Sequence, residues 1–284
     1  MKVERIRLFD NPNANLYSYI LDPKISTGVY KKRPAVIICP GGAYLKTATK
    51  EGEAVATHFL AHGYHSFVFR YSTYFTEDGK KNEASVFPIQ LLELMESIRI
   101  IKENADAWSI DVDNIFLVGF SAGGHLVTNL ATRWDEENFT DRFGQSKSFF
   151  KPKGIILGYP FLNTEADMDH VDVNVNQALF GKDKPSLRER QALNVINYVR
   201  KDMPPVFLWH TYDDEITKAK DSITFVSKLY EYNVENEVHI FSSGKHGLGM
   251  ADKVSAKMAS DINDEVAMWF PLVLNWLNAQ RNKI

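Results

Sequence analysis

At 284 residues, 44% hydrophobic and 24% charged, the chain holds enough apolar material for one large core and is short for two full domains. A formal net charge of −3 with scattered basic residues excludes a broad cationic surface, so the expected partner is a small molecule and neither nucleic acid nor an anionic membrane. The single cysteine, Cys39, excludes an internal disulfide and a cysteine-rich zinc site, and its place in the apolar run AVIIC reads as a buried strand position.

From the N-terminus, MKVERIRLFDNP alternates charged with apolar residues and has no continuous hydrophobic stretch. Neither a signal peptide nor a membrane span is expected, and a cytoplasmic location is the default. Segments around 3–9 and 16–21 alternate in the manner of an antiparallel edge. Continuous apolar runs then recur at 35–39 (AVIIC), 66–70 (SFVFR), 115–119 (IFLVG), 154–158 (GIILG), 205–209 (PVFLW) and 237–241 (EVHIF), as in parallel strands covered on both faces. Between them lie segments of helical spacing at about 50–62, 88–107, 123–132, 218–232 and 264–281.

This alternation predicts the α/β class: a mostly parallel central sheet flanked by helices, in a single domain over 1–284. The stretch 160–204 is polar and irregular up to a short helical piece near 187–196. It reads either as a small cap or lid insertion over a pocket at the strand ends or as a solvated connection, and 134–150 is a further candidate for the rim. The C-terminal stretch carries Trp269 and Trp276 on an apolar face that packs on the sheet or, alternatively, forms a homodimer, with Pro271 as a possible kink.

The chemistry starts at 115–126, IFLVGFSAGGHL, where an apolar strand breaks into Gly119-Phe120-Ser121-Ala122-Gly123 and then a helix. Such a turn forces the serine into a tight, exposed bend with glycines where side chains would collide, and so presents a hydroxyl as a nucleophile. A serine hydroxyl is weak until a base takes its proton, and the base works best when a carboxylate fixes its tautomer and stabilises its charge. Both follow at later strand ends: HTYDDEIT at 210–217 and SSGKHGLG at 242–249. Ser121, an aspartate at 213 or 214, and His246 then run in the chain order of α/β hydrolases, different from the chymotrypsin and subtilisin orders. A tetrahedral intermediate needs donors already aimed at its oxyanion, and the first is the N–H after the serine, at Ala122, on a helix N-terminus. Of the other histidines, His125 is read as supporting the turn. His58 and His62 have zinc-binding spacing, but Phe59 stands where a metalloprotease carries its glutamate, so they are read as structural and no metal is assigned.

Taken together, CPGGAY at 39–44, RYSTY at 70–74, GFSAGGHL at 119–126, PPVFLWHTYDDE at 204–215 and HIFSSGKHGLGMA at 239–251 resemble α/β-hydrolase-fold esterases. The likeness is to the bacterial acetyl-esterase and acetyl-xylan-esterase-like branch, also described as dienelactone-hydrolase-like. The resemblance implies that Asp214 is the acid, with Asp213 as the alternative, and that Ile216-Thr217-Lys218 stands where the family often has Val-Pro. It further implies that Pro40-Gly41-Gly42-Ala43-Tyr44 corresponds to the His-Gly-Gly-Gly loop of related esterases, placing the second oxyanion donor at Gly42 or Ala43. Tyr44 then lines the substrate pocket or hydrogen-bonds a tetrahedral oxygen.

The expected function is a serine carboxylesterase without a cofactor, acting on short-chain acyl esters, with acetyl esters of sugars or xylo-oligosaccharides implied by the resemblance alone. Tyr44, Tyr71, Tyr74 and Tyr159 near strand ends are candidates for stacking on a sugar ring or for packing. Alternatives are an aryl-formamidase, a peptidase, or a non-catalytic receptor that keeps the fold. Ser121 argues against a dienelactone hydrolase with its cysteine nucleophile, and the polar stretch 160–186 argues against a lipase lid.

Overall fold

The computed structural model describes residues 1–22, 32–165 and 173–283. Among these, eight strands form one sheet: β1 (Lys2–Leu8), β2 (Asn11–Ile20), β3 (Arg33–Cys39), β4 (His65–Arg70), β5 (Ile110–Phe120), β6 (Gly154–Gly158), β7 (Val206–Thr211) and β8 (Asn236–Phe241). Their spatial order is β1-β2-β4-β3-β5-β6-β7-β8. The pairs β1–β2 and β2–β4 are antiparallel, and every pair from β4 to β8 is parallel. This is the mostly parallel α/β-hydrolase sheet expected, with the alternating N-terminal segments as its antiparallel edge.

The continuous apolar runs are explained by two covered faces, because successive side chains in a strand point to opposite sides. In β3, Ala35, Ile37 and Cys39 face one core and Val36 and Ile38 the other. The first face is covered by α2 (Ile89–Glu103), α3 (Ala105–Trp108), α4 (Ala122–Arg133), α6 (Val173–Phe180), α7 (Leu187–Leu193) and α8 (Ala219–Glu231), with α5 (Glu137–Thr140) at its margin. On the second face lie α1 (Glu53–Ala61), α9 (Asp264–Ala267) and α10 (Trp269–Arg281).

Trp269 and Trp276 are buried against Trp209, Phe116 and Phe207, so the C-terminal apolar face packs on the sheet. The helix expected over 264–281 is broken at Met268, and Pro271 falls in the first turn of α10, where its missing N–H removes no helical hydrogen bond. No helix among the described residues is long and apolar enough to cross a membrane.

Two departures from the sequence pattern bear on the site. The helix expected from about 50 begins at Glu53, behind a separate 3-10 turn at Thr49–Glu51 that turns Glu51 inward. Within 160–204, α6 forms where irregular chain was expected, because Val175, Ala178 and Leu179 give it a short buried stripe. Then α7 forms with a Ser186–Glu189 capping box. Residues 166–172 of that stretch lie outside the described residues.

Candidate active site

Ser121 sits between β5 and α4 with φ 51° and ψ −118°, a backbone conformation that costs a non-glycine residue on the order of 1–3 kcal/mol. Neighbouring chain holds it there: its N–H donates to Gly158 O (3.1 Å), and its carbonyl accepts from His125 N (3.1 Å) and Phe161 N (3.0 Å). The helix start packs against β3 so closely that a Cβ on Gly123 would lie 1.9 Å from the Cys39 carbonyl oxygen. Glycine at that position is therefore a steric requirement.

His246 comes from the loop after β8. Its Nε2 is 2.9 Å from Ser121 Oγ and its Nδ1 is 2.7 Å from Asp214 Oδ2. Asp214 is buried at the end of β7, and its Oδ1 accepts from the N–H groups of Ile216 (2.8 Å) and Thr217 (3.0 Å). A proline at 217 would lack the second of these donors. Burial alone would raise the Asp214 carboxyl. Hydrogen bonds from His210 and His246 and from the Ile216 N–H outweigh it and hold the group well below the usual carboxylate range.

Asp213 points the other way. It is exposed and accepts from Ser243 Oγ (2.8 Å) and Gly244 N (2.7 Å), tying down the base of the loop that carries His246. The ambiguity between the two carboxylates thus separates into one that meets the imidazole and one that anchors the imidazole's loop.

A cavity of about 110 Å³ opens beside Ser121, lined mainly by apolar groups of Ala43, Tyr44, Ala122, Phe161, Val175, Leu179 and Ile216. Ala43 lies on it, whereas Gly42 turns the chain one residue earlier with φ 119° and its carbonyl accepts from Leu45 N and Lys46 N. Gly41 lets this loop approach the serine, since a Cβ there would lie 2.8 Å from Ser121 Cβ. Ala122 N opens α4, where no intrahelical partner exists. The Tyr44 ring lines the cavity, but its hydroxyl bonds His125 Nδ1 at 2.8 Å.

His125 is fully buried and its Nε2 meets Leu193 O at 2.8 Å, so it joins the 40–44 loop to the end of α7. Burial pushes it down to about 4, which keeps it neutral, with Nε2 donating to Leu193 and Nδ1 accepting from Tyr44. Tyr71, Tyr74 and Tyr159 are at most 4% exposed and pack in the core, so they are not available to stack on a sugar. His58 meets Ala54 O and Asp252, His62 meets His58 O, and no cluster suited to a metal ion occurs among the described residues. None of the residues 134–150 lines the cavity.

The family model BD-FAE matches residues 21–229. The chain belongs to the BD-FAE family. It is similar to the carboxylesterase Cest-2923 of Lactobacillus plantarum WCFS1, at 29% identity and a TM-score of 0.84, over 99% of this chain and 98% of that one. It is also 28% identical over 243 residues to endo-1,4-beta-xylanase B of Butyrivibrio fibrisolvens and 25% identical over 221 residues to an acetylxylan esterase of Xylanibacter ruminicola. These matches take in 84% and 76% of this chain but only 35% and 41% of the two relatives, respectively.

Two residues of this BD-FAE chain escaped sequence reasoning. His210, buried in β7, bonds Ser222 Oγ (2.8 Å) and Thr217 O (2.9 Å) and lies 3.4 Å from Asp214 Oδ2, holding the acid's turn. In the sequence it stood as the first residue of HTYDDEIT, after a strand expected to end at 209, with no role assigned. Glu51 is 3% exposed and joins Gly41 N (2.7 Å) to Tyr159 Oη (2.7 Å). Burial raises it, opposed by those two hydrogen bonds. In the sequence it looked like the first turn of a surface helix, and the one available signal was an acidic residue ten positions after a glycine turn.

Proposed function

We propose that this protein is a serine carboxylesterase that removes short acyl groups, acetyl foremost, from esters of sugars or xylo-oligosaccharides. The observation that carries the reading is the unbroken hydrogen-bonded line from Asp214 through His246 to Ser121, opening on a small apolar cavity. Ser121 Oγ attacks the ester carbonyl carbon while His246 Nε2 takes its proton, and Asp214 stabilises the imidazolium without accepting a proton itself. The C–O bond to the alcohol then breaks, and the alcohol leaves with that proton. Water, deprotonated by His246, attacks the acyl-enzyme and releases the acid and Ser121. The tetrahedral oxygen is held by the N–H groups of Ala122 and Ala43.

The cavity's size and apolar lining favour a short acyl chain there, with the alcohol directed to solvent. Phe161, Val175 and Leu179 come from the described parts of the 160–204 stretch, which on this reading serve as a small cap. The sugar or xylan part rests on the acetylxylan esterase and xylanase relatives, of which this chain spans less than half.

A panel of esters varied in acyl length and alcohol, including p-nitrophenyl acetate and acetylated xylo-oligosaccharides, tests the reading together with fluorophosphonate labelling. Wild type should turn over acetyl esters and label at Ser121, and Ser121→Ala should do neither. Folded wild type with no turnover and no label would favour a non-catalytic receptor instead.

A further inference from the structure

Glu51 is a fully buried carboxylate that the proposed mechanism does not use. It lies between the two loops that the mechanism needs in register. On one side its Oε2 accepts the Gly41 N–H (2.7 Å), on the loop that brings Ala43 to the cavity. On the other its Oε1 accepts from Tyr159 Oη (2.7 Å), and the same hydroxyl accepts the Gly249 N–H (2.9 Å), three residues beyond His246. The Tyr159 ring stands edge-on to the His246 ring with centroids 5.0 Å apart. Because the tyrosine hydroxyl takes the Gly249 proton, its own proton is directed to Glu51, and both carboxylate oxygens are acceptors, the pattern of an ionised group.

We propose that Glu51 is a positioning residue for ester hydrolysis, a buried carboxylate that clamps the oxyanion loop to the histidine loop and adds a second negative charge beside His246. The inference rests on the serine-esterase reading. Lys50 and Lys245 strengthen the clamp, since both pair with buried Asp261, at 3.3 and 2.5 Å, from the residues next to Glu51 and His246. The groups that bear on His246 are Ser121, Asp214 with His210 behind it, Thr217 Oγ1 at 3.1 Å from Nδ1, Glu51, and Tyr159. Tyr71, Lys50 and the Lys245–Asp261 pair bear on Glu51 or the loop. Asp214 remains in every variant below, so a change in the imidazole's titration reports Glu51.

Glu51→Gln keeps the shape, removes the charge and leaves one of the two donors facing an amide N–H₂. With p-nitrophenyl acetate, kcat is expected to fall about tenfold with KM within about twofold, because the loss is felt in the transition state. The acid limb of kcat/KM should move down by about half a pH unit, since the imidazolium loses a neighbouring negative charge. Glu51→Asp, which retains the charge, should leave that limb at its wild-type position. Tyr159→Phe cuts the tie to Gly249 and removes one of the two donors to Glu51, so kcat should fall.

A folded Glu51→Gln protein with wild-type kcat, or one whose acid limb does not move, overturns the proposal. Should that variant not accumulate as folded protein, Tyr159→Phe decides, and a kcat within about twofold of wild type overturns it. An inert, unlabelled wild type would instead remove the esterase reading, whereas an active wild type with unchanged variants removes only this inference.

Discussion

The serine and the histidine are delivered to the same point by different kinds of structure. Ser121 sits at the end of a central strand, and its position is set by the elbow's own backbone, by Gly123 against β3 and by the adjoining ends of β5, β6 and α4. His246 lies on a loop after the outermost strand, β8, whose residues are mostly half-buried. Contacts from elsewhere in the chain hold it. Asp213 grips Ser243 and Gly244, Tyr159 accepts from Gly249 N, Trp269 Nε1 donates to Gly249 O at 3.1 Å, and Asp261 pairs with Lys245. The elbow is therefore a local steric solution, intolerant of added atoms. The histidine loop is a tertiary one, in which each tie is worth about 1 kcal/mol and misplacement is felt as rate rather than as unfolding.

The contrast can be broken most forcefully at Gly123. Gly123→Ala should yield no stably folded protein, because the new methyl meets backbone rather than a side chain that can yield. A cooperative thermal transition near the wild-type Tm would show that the elbow is less tightly packed than the Cys39 contact requires.

Next in size is Asp214→Asn, expected to lower kcat about 10³- to 10⁴-fold with the fold intact. Asp213→Asn should cost only about three- to tenfold, through a looser histidine loop. Equal losses would remove the division of labour between the two carboxylates.

The acid at 214 can also be tested by pH. The Asp214 carboxyl is depressed in the folded protein, so its stabilising contribution is complete above its unfolded value of roughly 3.9 and is lost only as pH falls through the lower folded value. The Tm difference between wild type and Asp214→Asn should thus not shrink from about pH 8 to pH 5, and a difference that fades within that range would contradict the depressed carboxyl. The smallest effect belongs to Trp269→Phe, which keeps most of the stacking on Trp209 but loses the bond to Gly249 O. Its kcat should drop by about two- to fivefold with KM nearly unchanged in steady-state assays.

Much of this arrangement was legible in the chain because it is written in local patterns. Continuous β-branched and aromatic runs marked β3 through β8, since strands covered on both faces, as β3 to β7 are, favour apolar residues, and the glycine spacing around Ser121 marked the elbow. What stayed hidden had no local signature. Glu51 and His210 are polar residues whose burial depends on partners up to 108 residues away, and α6 is too short for its stripe of Val175, Ala178 and Leu179 to stand out from a polar segment. The tyrosines near strand ends look identical in sequence whether they face a ligand or the core, and the fold turned Tyr71, Tyr74 and Tyr159 inward.

The order of the strands and of the longer helices, the family and the identity of the serine turn were determined by the sequence alone, because hydrophobic period and glycine sterics act over a few residues. Which carboxylate meets the imidazole, which loop residue lines the cavity, and that Glu51 links the two loops were decided only in three dimensions. Hydrogen-bond partners are chosen by distances of about 3 Å between segments that are far apart along the chain, and no local pattern encodes those distances.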